Sequence, residues 1–89
     1  MYYTYALKSI AFNYIYVGLT DNPSRRIEQH NRGYNKSTKP YRPFVLFHVE
    51  EFENRAEARK REKFLKNASG KRFLRWKLQE YVENQIDEN

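Results

Sequence analysis

The chain has 89 residues and no cysteine, and its 17 Lys and Arg against 11 Asp and Glu give a net charge of +6. This length supports one domain with a single small core, and the lack of cysteine excludes disulfide frameworks and thiolate zinc sites. No apolar run approaches the roughly 20 residues of a membrane helix, and the first residues, MYYTYALKS, do not resemble a signal peptide. These features predict a cytoplasmic protein.

The basic residues are clustered. Residues 55–77 contain ten Lys or Arg and two acids, and residues 25–42 contain six Lys or Arg and one acid. Residues 78–89 contain four acids and no base. Clustered cations are typical of a phosphate-binding face, so the pattern predicts nucleic acid as the partner. The alternative is a basic surface that contacts only solvent.

The first third of the chain predicts a β-hairpin followed by a helix. Residues 2–8 and 14–18 alternate in polarity and are rich in β-favouring aromatic residues, and the segment between them is short enough for an antiparallel turn. Asn22 then precedes Pro23, which is the order of a helix cap and a first helical position. We expect this helix to end near Gly33, after residue 31.

The middle of the chain predicts a loop, a strand and a second helix. Residues 34–43 contain two prolines and several basic residues, which indicates a mobile basic loop. The apolar run over residues 44–52 predicts a third strand. Asn54 and Glu57 have the spacing of a capping box, which predicts a helix over residues 55–66.

The end of the chain predicts a third helix and a tail. We expect the helix over residues 71–81, with Trp76 in the core. Its other buried side chains are expected to be Phe73, Leu74, Leu78 and Tyr81. The alternative is an exposed Trp76, which would indicate a dimer face. Residues 83–89 are acidic and expected to fray, which leaves one domain over residues 1–82. The order ββαβαα predicts an α+β fold in which three helices flank a small, mainly antiparallel, three-stranded sheet.

One carboxylate falls on the face of the second predicted helix that should meet the core. Ala58, Glu62 and Leu65 share that face by the i, i+4, i+7 rule. Buried charges are rare unless they are paired or bind a metal. Glu62 is therefore either a metal ligand or the partner of an arginine.

Other polar residues gather in the first half of the chain. Arg26 and His30 lie one turn apart on the first predicted helix, either as part of a site or as solvated groups. The opening strands carry five tyrosines, which in strands usually pack with a wet hydroxyl. These are Tyr2, Tyr3, Tyr5, Tyr14 and Tyr16. An arginine, a glutamate, a histidine and two hydroxyls can together serve a phosphodiesterase.

The opening strands resemble the paired triplets of the GIY-YIG endonucleases. Tyr3-Thr4-Tyr5 is followed eleven residues after Tyr5 by Tyr16-Val17-Gly18. The first triplet departs from the family pattern, with Tyr3 and Thr4 where Gly and Ile would stand. The second triplet is close to intact.

Three downstream segments continue the resemblance, which runs from residue 2 to residue 66. The stretch Thr20 to Asn31 is similar to the family's first-helix motif, with Arg26 and His30 at its catalytic arginine and histidine. Lys36-Ser37-Thr38-Lys39 and Arg42-Pro43 are similar to a loop of small stand-alone bacterial members. Ala58 to Lys66 resembles the metal-helix motif, with Glu62 at its glutamate. Asn67 matches the family's later asparagine poorly, so no role is assigned to it.

The resemblance implies a metal-dependent endonuclease, related to the incision domain of an excision-repair nuclease. Glu62 would hold one Mg²⁺ or Mn²⁺, since these cations prefer oxygen ligands. Arg26 would stabilise the charge of the transition state. Tyr5 and Tyr16 would position the attacking water, and which of them acts as the base stays open.

The remaining implied roles concern positioning and binding. His30 would relay a proton or hydrogen-bond a tyrosine, and Gly18 would allow a close backbone approach. Phosphate contacts are expected from five basic residues, namely Lys36, Lys39, Arg42, Lys63 and Lys66. Tyr34 and Tyr41 are expected to stack on bases. The resemblance favours DNA over RNA. Two alternatives remain: a catalytically inactive nucleic-acid-binding module with the same fold, and a protein-interaction adaptor.

Overall fold

The structure, a computed structural model, describes residues 1–87, with side-chain surroundings described through residue 85. Three strands, β1 (Tyr2–Ser9), β2 (Ile15–Thr20) and β3 (Phe44–Phe52), form one antiparallel sheet in the order β2-β1-β3. The central strand is therefore the first in the chain, and β2 and β3 are the edges. The predicted α+β fold and three-stranded sheet are confirmed.

Three α-helices complete the order ββαβαα. They are α1 (Pro23–Asn31), α2 (Arg55–Leu65) and α3 (Ala68–Asp87), and a short 3-10 helix, Lys39–Tyr41, precedes β3. Within residues 1–87 no helix is both long enough and apolar enough to cross a membrane.

The helix ends follow local side-chain chemistry. The Asn22 side chain accepts a hydrogen bond from the Arg25 backbone N–H at 3.1 Å, and the Asn54 side chain accepts from Glu57 at 3.0 Å. Each bond satisfies one of the backbone donors that a helix start leaves free, so both predicted caps are confirmed. Gly33 ends α1 with φ of 82°, a conformation that disfavours any side chain.

The two faces of the sheet are covered by different helices. On one face, Tyr5 and Leu7 pack with Phe44 and contact Ile27 of α1. On the other, Ala6, Val17 and Phe47 form a core with residues from α2 and α3, namely Leu65 and Leu74. This alternation follows from the period-two geometry of strands, which places successive side chains of β1 on opposite faces. Helices on both faces thus enclose the central strand.

The third helix is longer than the sequence predicted. It begins at Ala68 because the Asn67 side chain accepts from the Gly70 backbone N–H at 2.9 Å, which is an N-cap. It continues to Asp87, so residues 83–87 are helical where fraying was expected, and residues 88 and 89 lie outside the described part of the chain. The prediction that Trp76 lies in the core is wrong, since its side chain is 60% exposed. The division at residue 82 stays a prediction.

The basic loop over residues 34–43 is packed against the fold rather than free. Thr38 is fully buried, and the Tyr41 ring stacks on Tyr14 with ring centroids 4.1 Å apart. The Ser9 hydroxyl donates to the Tyr41 carbonyl at 2.6 Å. The expectation of a mobile loop overlooked these contacts because each joins residues distant in the sequence.

Candidate active site

The site begins at the pairing of β1 with β2, where Tyr5 lies opposite Gly18. A side-chain carbon at residue 18 would collide with the Tyr5 hydroxyl and crowd the Tyr16 ring. Glycine therefore lets the buried Tyr5 side chain cross the neighbouring strand. This close approach agrees with the role expected for Gly18.

A chain of hydrogen bonds starts at the Tyr5 hydroxyl. Tyr5 Oη lies 3.0 Å from His30 Nε2, and His30 Nδ1 lies 2.8 Å from Thr38 Oγ1. The Thr38 hydroxyl also lies 3.3 Å from the Asn35 carbonyl, to which it can donate. In that arrangement His30 Nδ1–H donates to Thr38, so His30 Nε2 accepts the Tyr5 hydroxyl proton. All three side chains are then satisfied.

Burial sets the ionisation of this chain. It raises the pKa of Tyr5 to about 12, although the nearby Arg26 guanidinium acts in the opposite direction. Burial and then the Arg26 charge lower the pKa of His30 to about 4. At neutral pH Tyr5 is therefore protonated and His30 is neutral. The alternative that His30 is a solvated group is wrong, since none of its surface is exposed.

Arg26 and Tyr16 border the Tyr5–His30 pair. Half-buried Arg26 influences both pKa values, and its guanidinium donates to the Gln29 side chain at 3.0 Å. The Tyr16 ring centroid lies 4.9 Å from that of His30 and 6.2 Å from that of Tyr5. Residues from β1, β2 and α1 thus meet at one place.

Glu62 approaches this place from α2. It is buried on the same helix face as Ala58 and Leu65, and its negative charge contributes to the raised Tyr5 pKa. Its carboxylate meets Arg59 at 3.3 Å and Lys66 at 3.4 Å. Both cations are more than half exposed and come from the same helix, so the pairings contribute little to stability.

The donor set around Glu62 fits a hard cation that keeps most of its water. Among the described residues, no three His, Cys, Asp or Glu side chains cluster as a metal cage. Mg²⁺ commonly binds through one or two carboxylates together with substrate phosphates and water. The Glu62 carboxylate is paired only with exposed side chains, so it can exchange those pairings for contact with such an ion. Glu62 is the residue that would hold it.

The five basic residues expected on phosphates are all exposed. Lys39 and Arg42 lie together beside Gly33, and Lys66 contacts Glu62 at the site. Tyr14 stacks on one face of the Tyr41 ring and Phe12 meets the ring nearly at a right angle, so base stacking by Tyr41 stays a prediction. Tyr34 is 67% exposed and stays a candidate for stacking.

Thr38 is the site residue that the sequence did not reveal. It is buried, and it contacts His30 only because the loop folds back over α1. In the sequence, a threonine between a serine and a lysine gives no indication that it is buried or contacts a histidine. The prolines at positions 40 and 43 pointed to a loop but not to its packing.

A family model described as the GIY-YIG catalytic domain matches residues 1–79. The chain belongs to the GIY-YIG family. Tyr3 and Thr4, which depart from the first family triplet, take no part in the hydrogen-bond chain that starts at Tyr5. The Thr4 hydroxyl donates to the Ala58 carbonyl at 2.6 Å, and the Tyr3 hydroxyl donates to Glu51 at 3.1 Å.

Several small bacterial proteins are similar to this GIY-YIG chain over most of both sequences. A UPF0213 protein of Staphylococcus haemolyticus is 39% identical over 75 residues, covering 83% of this chain and 90% of its own. UPF0213 proteins of Listeria welshimeri and Enterococcus faecalis are 41% and 39% identical over 71 residues. They cover 79% and 75% of this chain, and 78% and 74% of their own. No solved structure matches the chain.

Proposed function

We propose that this GIY-YIG domain is a divalent-metal-dependent endonuclease that hydrolyses phosphodiester bonds in nucleic acid, with DNA as the favoured substrate. One observation carries the proposal: a buried Tyr5–His30 hydrogen bond lies beside the Arg26 guanidinium, and the Glu62 carboxylate acts on the same tyrosine. A packing role alone would not require a cation and a carboxylate to flank a buried tyrosine.

The Tyr5–His30 pair supplies a route for one proton. A water at the Tyr5 oxygen gives its proton to Tyr5 while the Tyr5 proton passes to His30 Nε2. The resulting hydroxide attacks phosphorus, the bond to the leaving oxygen breaks, and the proton held on His30 returns through Tyr5 and solvent. In this relay Tyr5 contacts the water and His30 Nε2 is the final proton acceptor, so we assign the base role to the Tyr5–His30 pair.

Two further groups shape the reaction. The Arg26 guanidinium stabilises the negative charge that grows on the phosphoryl oxygens, a role suited to a positioned cation in a partly desolvated site. Tyr16 packs against His30 and restricts the space that water and substrate share. Neither group needs to move, since α1 and β2 already hold them.

Glu62 is the metal-holding residue of the proposal. When bound, Mg²⁺ or Mn²⁺ supplies Lewis-acid stabilisation of phosphate charge and of the departing oxygen. Glu62 is buried on the α2 face between Ala58 and Leu65, which restricts the directions that its carboxylate can take. The cations Arg59 and Lys66 neutralise it in the absence of another partner.

The exposed basic residues give affinity without sequence preference. Lys39 and Arg42 lie beside the C-terminal end of α1. Lys63 lies in the last turn of α2, and Lys66 follows as its C-cap. We assign these four and Lys36 to the phosphates of the bound strand. The family's nuclease character and the net charge of +6 both favour this assignment.

A binding module without turnover is the second candidate. Two observations favour it: the pKa of Tyr5 is raised to about 12, and no three His, Cys, Asp or Glu side chains cluster as a metal cage in the described part of the chain. Such a module would bind nucleic acid equally with and without a divalent cation. The endonuclease requires the cation for cleavage.

The deciding experiment is cleavage of labelled duplex, single-stranded and branched DNA and of single-stranded RNA, with Mg²⁺, Mn²⁺ or chelator. We expect metal-dependent products, and a loss of at least about 100-fold in Glu62→Gln and in Arg26→Ala. Glu57→Gln, an exposed acid on the same helix, is the control and should cut normally. Binding that is indifferent to metal, with no products on any substrate, would establish the binding module.

A further inference from the structure

A groove lies between the free edge of β2 and the junction of α2 with α3. Its volume is about 520 Å³, within the range of about 300–1,000 Å³ typical of small-molecule sites. The groove has two kinds of lining. Its apolar residues are Ile15, Val17, Leu65 and Leu74, and its polar residues are Asn13, Tyr16, Lys66, Lys71 and Arg75.

Two of the three cations that line the groove have no acidic partner in the described part of the chain. Lys71 and Arg75 lie one turn apart on α3, are exposed, and form no ion pair with any residue between 1 and 85. Lys66 is the third cation, and its partner is Glu62. An apolar floor with two or three cations at its rim suits a flat, mostly apolar ring that carries a phosphate.

The groove is continuous with the candidate active site. Tyr16 lines the groove and packs against His30, and Lys66 lines the groove and contacts Glu62. A nucleic-acid strand that places a phosphate near Tyr5 and Glu62 can therefore continue into the groove. Lys71 and Arg75 lie outside residues 2–66, the part of the chain that carries the family motifs.

We propose that this groove binds one unpaired nucleotide next to the scissile phosphate, with its base on the apolar floor and its phosphate between Lys71 and Arg75. A base paired within a duplex has its edge and both faces occupied, so it does not reach this floor. The enzyme therefore prefers strands that are single or locally open at the site. This inference rests on the proposed function, since it places the groove beside a cleaved bond.

The first test measures binding, so it does not depend on turnover. The probes are a fluorescent single-stranded 12-mer and the matching blunt duplex, each as DNA and as RNA, in chelator. We expect Lys71→Ala/Arg75→Ala to weaken single-strand binding at least tenfold and duplex binding less than twofold. The control Arg72→Ala removes an exposed cation from the same helix outside the groove and should change either affinity less than twofold.

Equal losses on single strand and duplex would overturn the proposal, as would equal losses in the double variant and in Arg72→Ala. Neither Lys71 nor Arg75 is buried, so the variants should fold, and circular dichroism checks this. If the protein binds as expected but cuts no substrate, the proposed nucleotide site in the groove stands and the proposed endonuclease function is refuted.

The second test locates the nucleotide. An abasic residue is moved one position at a time along a cleaved single strand, and kcat/KM is measured for each position. We expect a loss of at least tenfold at one position flanking the cut, and that loss should shrink in Lys71→Ala/Arg75→Ala. A profile that is flat in both proteins would mean that no base enters the groove.

Discussion

At the scale of single residues, the site depends on how neighbours orient one neutral imidazole. His30 has two hydrogen-bonding partners, Tyr5 on Nε2 and Thr38 on Nδ1. The partner on one nitrogen decides which nitrogen carries the proton. When Thr38 donates to the Asn35 carbonyl, it accepts from His30 Nδ1–H and leaves Nε2 free to accept from Tyr5, so we infer that Thr38 is a positioning residue.

This arrangement predicts the behaviour of Thr38 variants. Thr38→Val removes the partner of Nδ1, so we expect kcat to fall about 10- to 100-fold with little change in KM. Thr38→Ser keeps a hydroxyl and should restore most of the rate. The loss should also change the pH profile of kcat, because the tautomer of His30 is no longer fixed. A rise in KM with kcat unchanged would assign Thr38 to binding instead.

His30 also predicts how stability depends on pH. Its pKa is 6.5 in the unfolded chain and about 4 in the fold, so between these values the unfolded state binds more protons. Acid therefore favours unfolding. The stability that neutral His30 contributes is fully present above pH 6.5 and is lost as the pH falls towards 4. The difference corresponds to about 3 kcal/mol of unfolding free energy.

Urea unfolding at successive pH values measures this effect. His30→Gln removes the titrating group while keeping a polar side chain, so we expect its free energy of unfolding to fall less steeply between pH 6.5 and 4. Carboxylates titrate in both proteins and cancel in the comparison. Identical slopes would mean that His30 is protonated as readily in the fold as in the unfolded chain.

At the scale of elements, the junction of α2 with α3 fixes where the groove and Glu62 stand. Asn67 caps α3 directly after α2 ends, and Gly70 lies against the backbone of the last α2 turn. A side-chain carbon at residue 70 would collide with the Phe64 carbonyl oxygen and with Leu65. The two helices can therefore meet this closely only with glycine at that position.

Gly70→Ala should accordingly separate the helices. We expect it to lower the free energy of unfolding by about 1–3 kcal/mol, measured by chemical denaturation, because the colliding atoms belong to backbone that cannot rotate away. Ser69→Ala, at the exposed neighbouring position, should change stability by less than about 0.5 kcal/mol. Equal stability in the two variants would show that the junction is looser than the structure indicates.

At the scale of the whole molecule, charge is divided along the chain. The net charge of +6 includes acids near the C-terminus at Glu83, Asp87 and Glu88. Leu78 and Tyr81 pack against the core, whereas Glu83, Asn84 and Gln85 are exposed. We propose that residues 1–82 form the complete domain and that the remainder tunes its charge.

Ending the chain at Val82 tests that division. The charge rises from +6 to +9, because three acids are removed and the new terminal carboxylate replaces the old one. We expect the free energy of unfolding to change by less than about 1 kcal/mol and single-strand affinity to rise at low salt, with the gain disappearing as salt screens it. A loss of several kcal/mol would place residues 83–89 inside the domain.

The sequence by itself determined the order of elements and the helix caps. These features follow from residues that are neighbours in the sequence, so they can be predicted without knowledge of tertiary contacts. They are the alternation in the opening strands, the Asn22–Pro23 helix start and the Asn54 cap. The resemblance to the GIY-YIG family added Tyr5, Arg26, His30 and Glu62 as site candidates, and the buried face of α2 already singled out Glu62.

Only the tertiary structure decided how those residues are placed. Burial of Thr38, exposure of Trp76 and the extension of α3 depend on contacts between distant segments, which composition and periodicity do not encode. The raised pKa of Tyr5 and the lowered pKa of His30 have the same origin, since both follow from desolvation when α1 and the loop close over the sheet. The sequence thus determines which groups the site contains, whereas packing determines their protonation states.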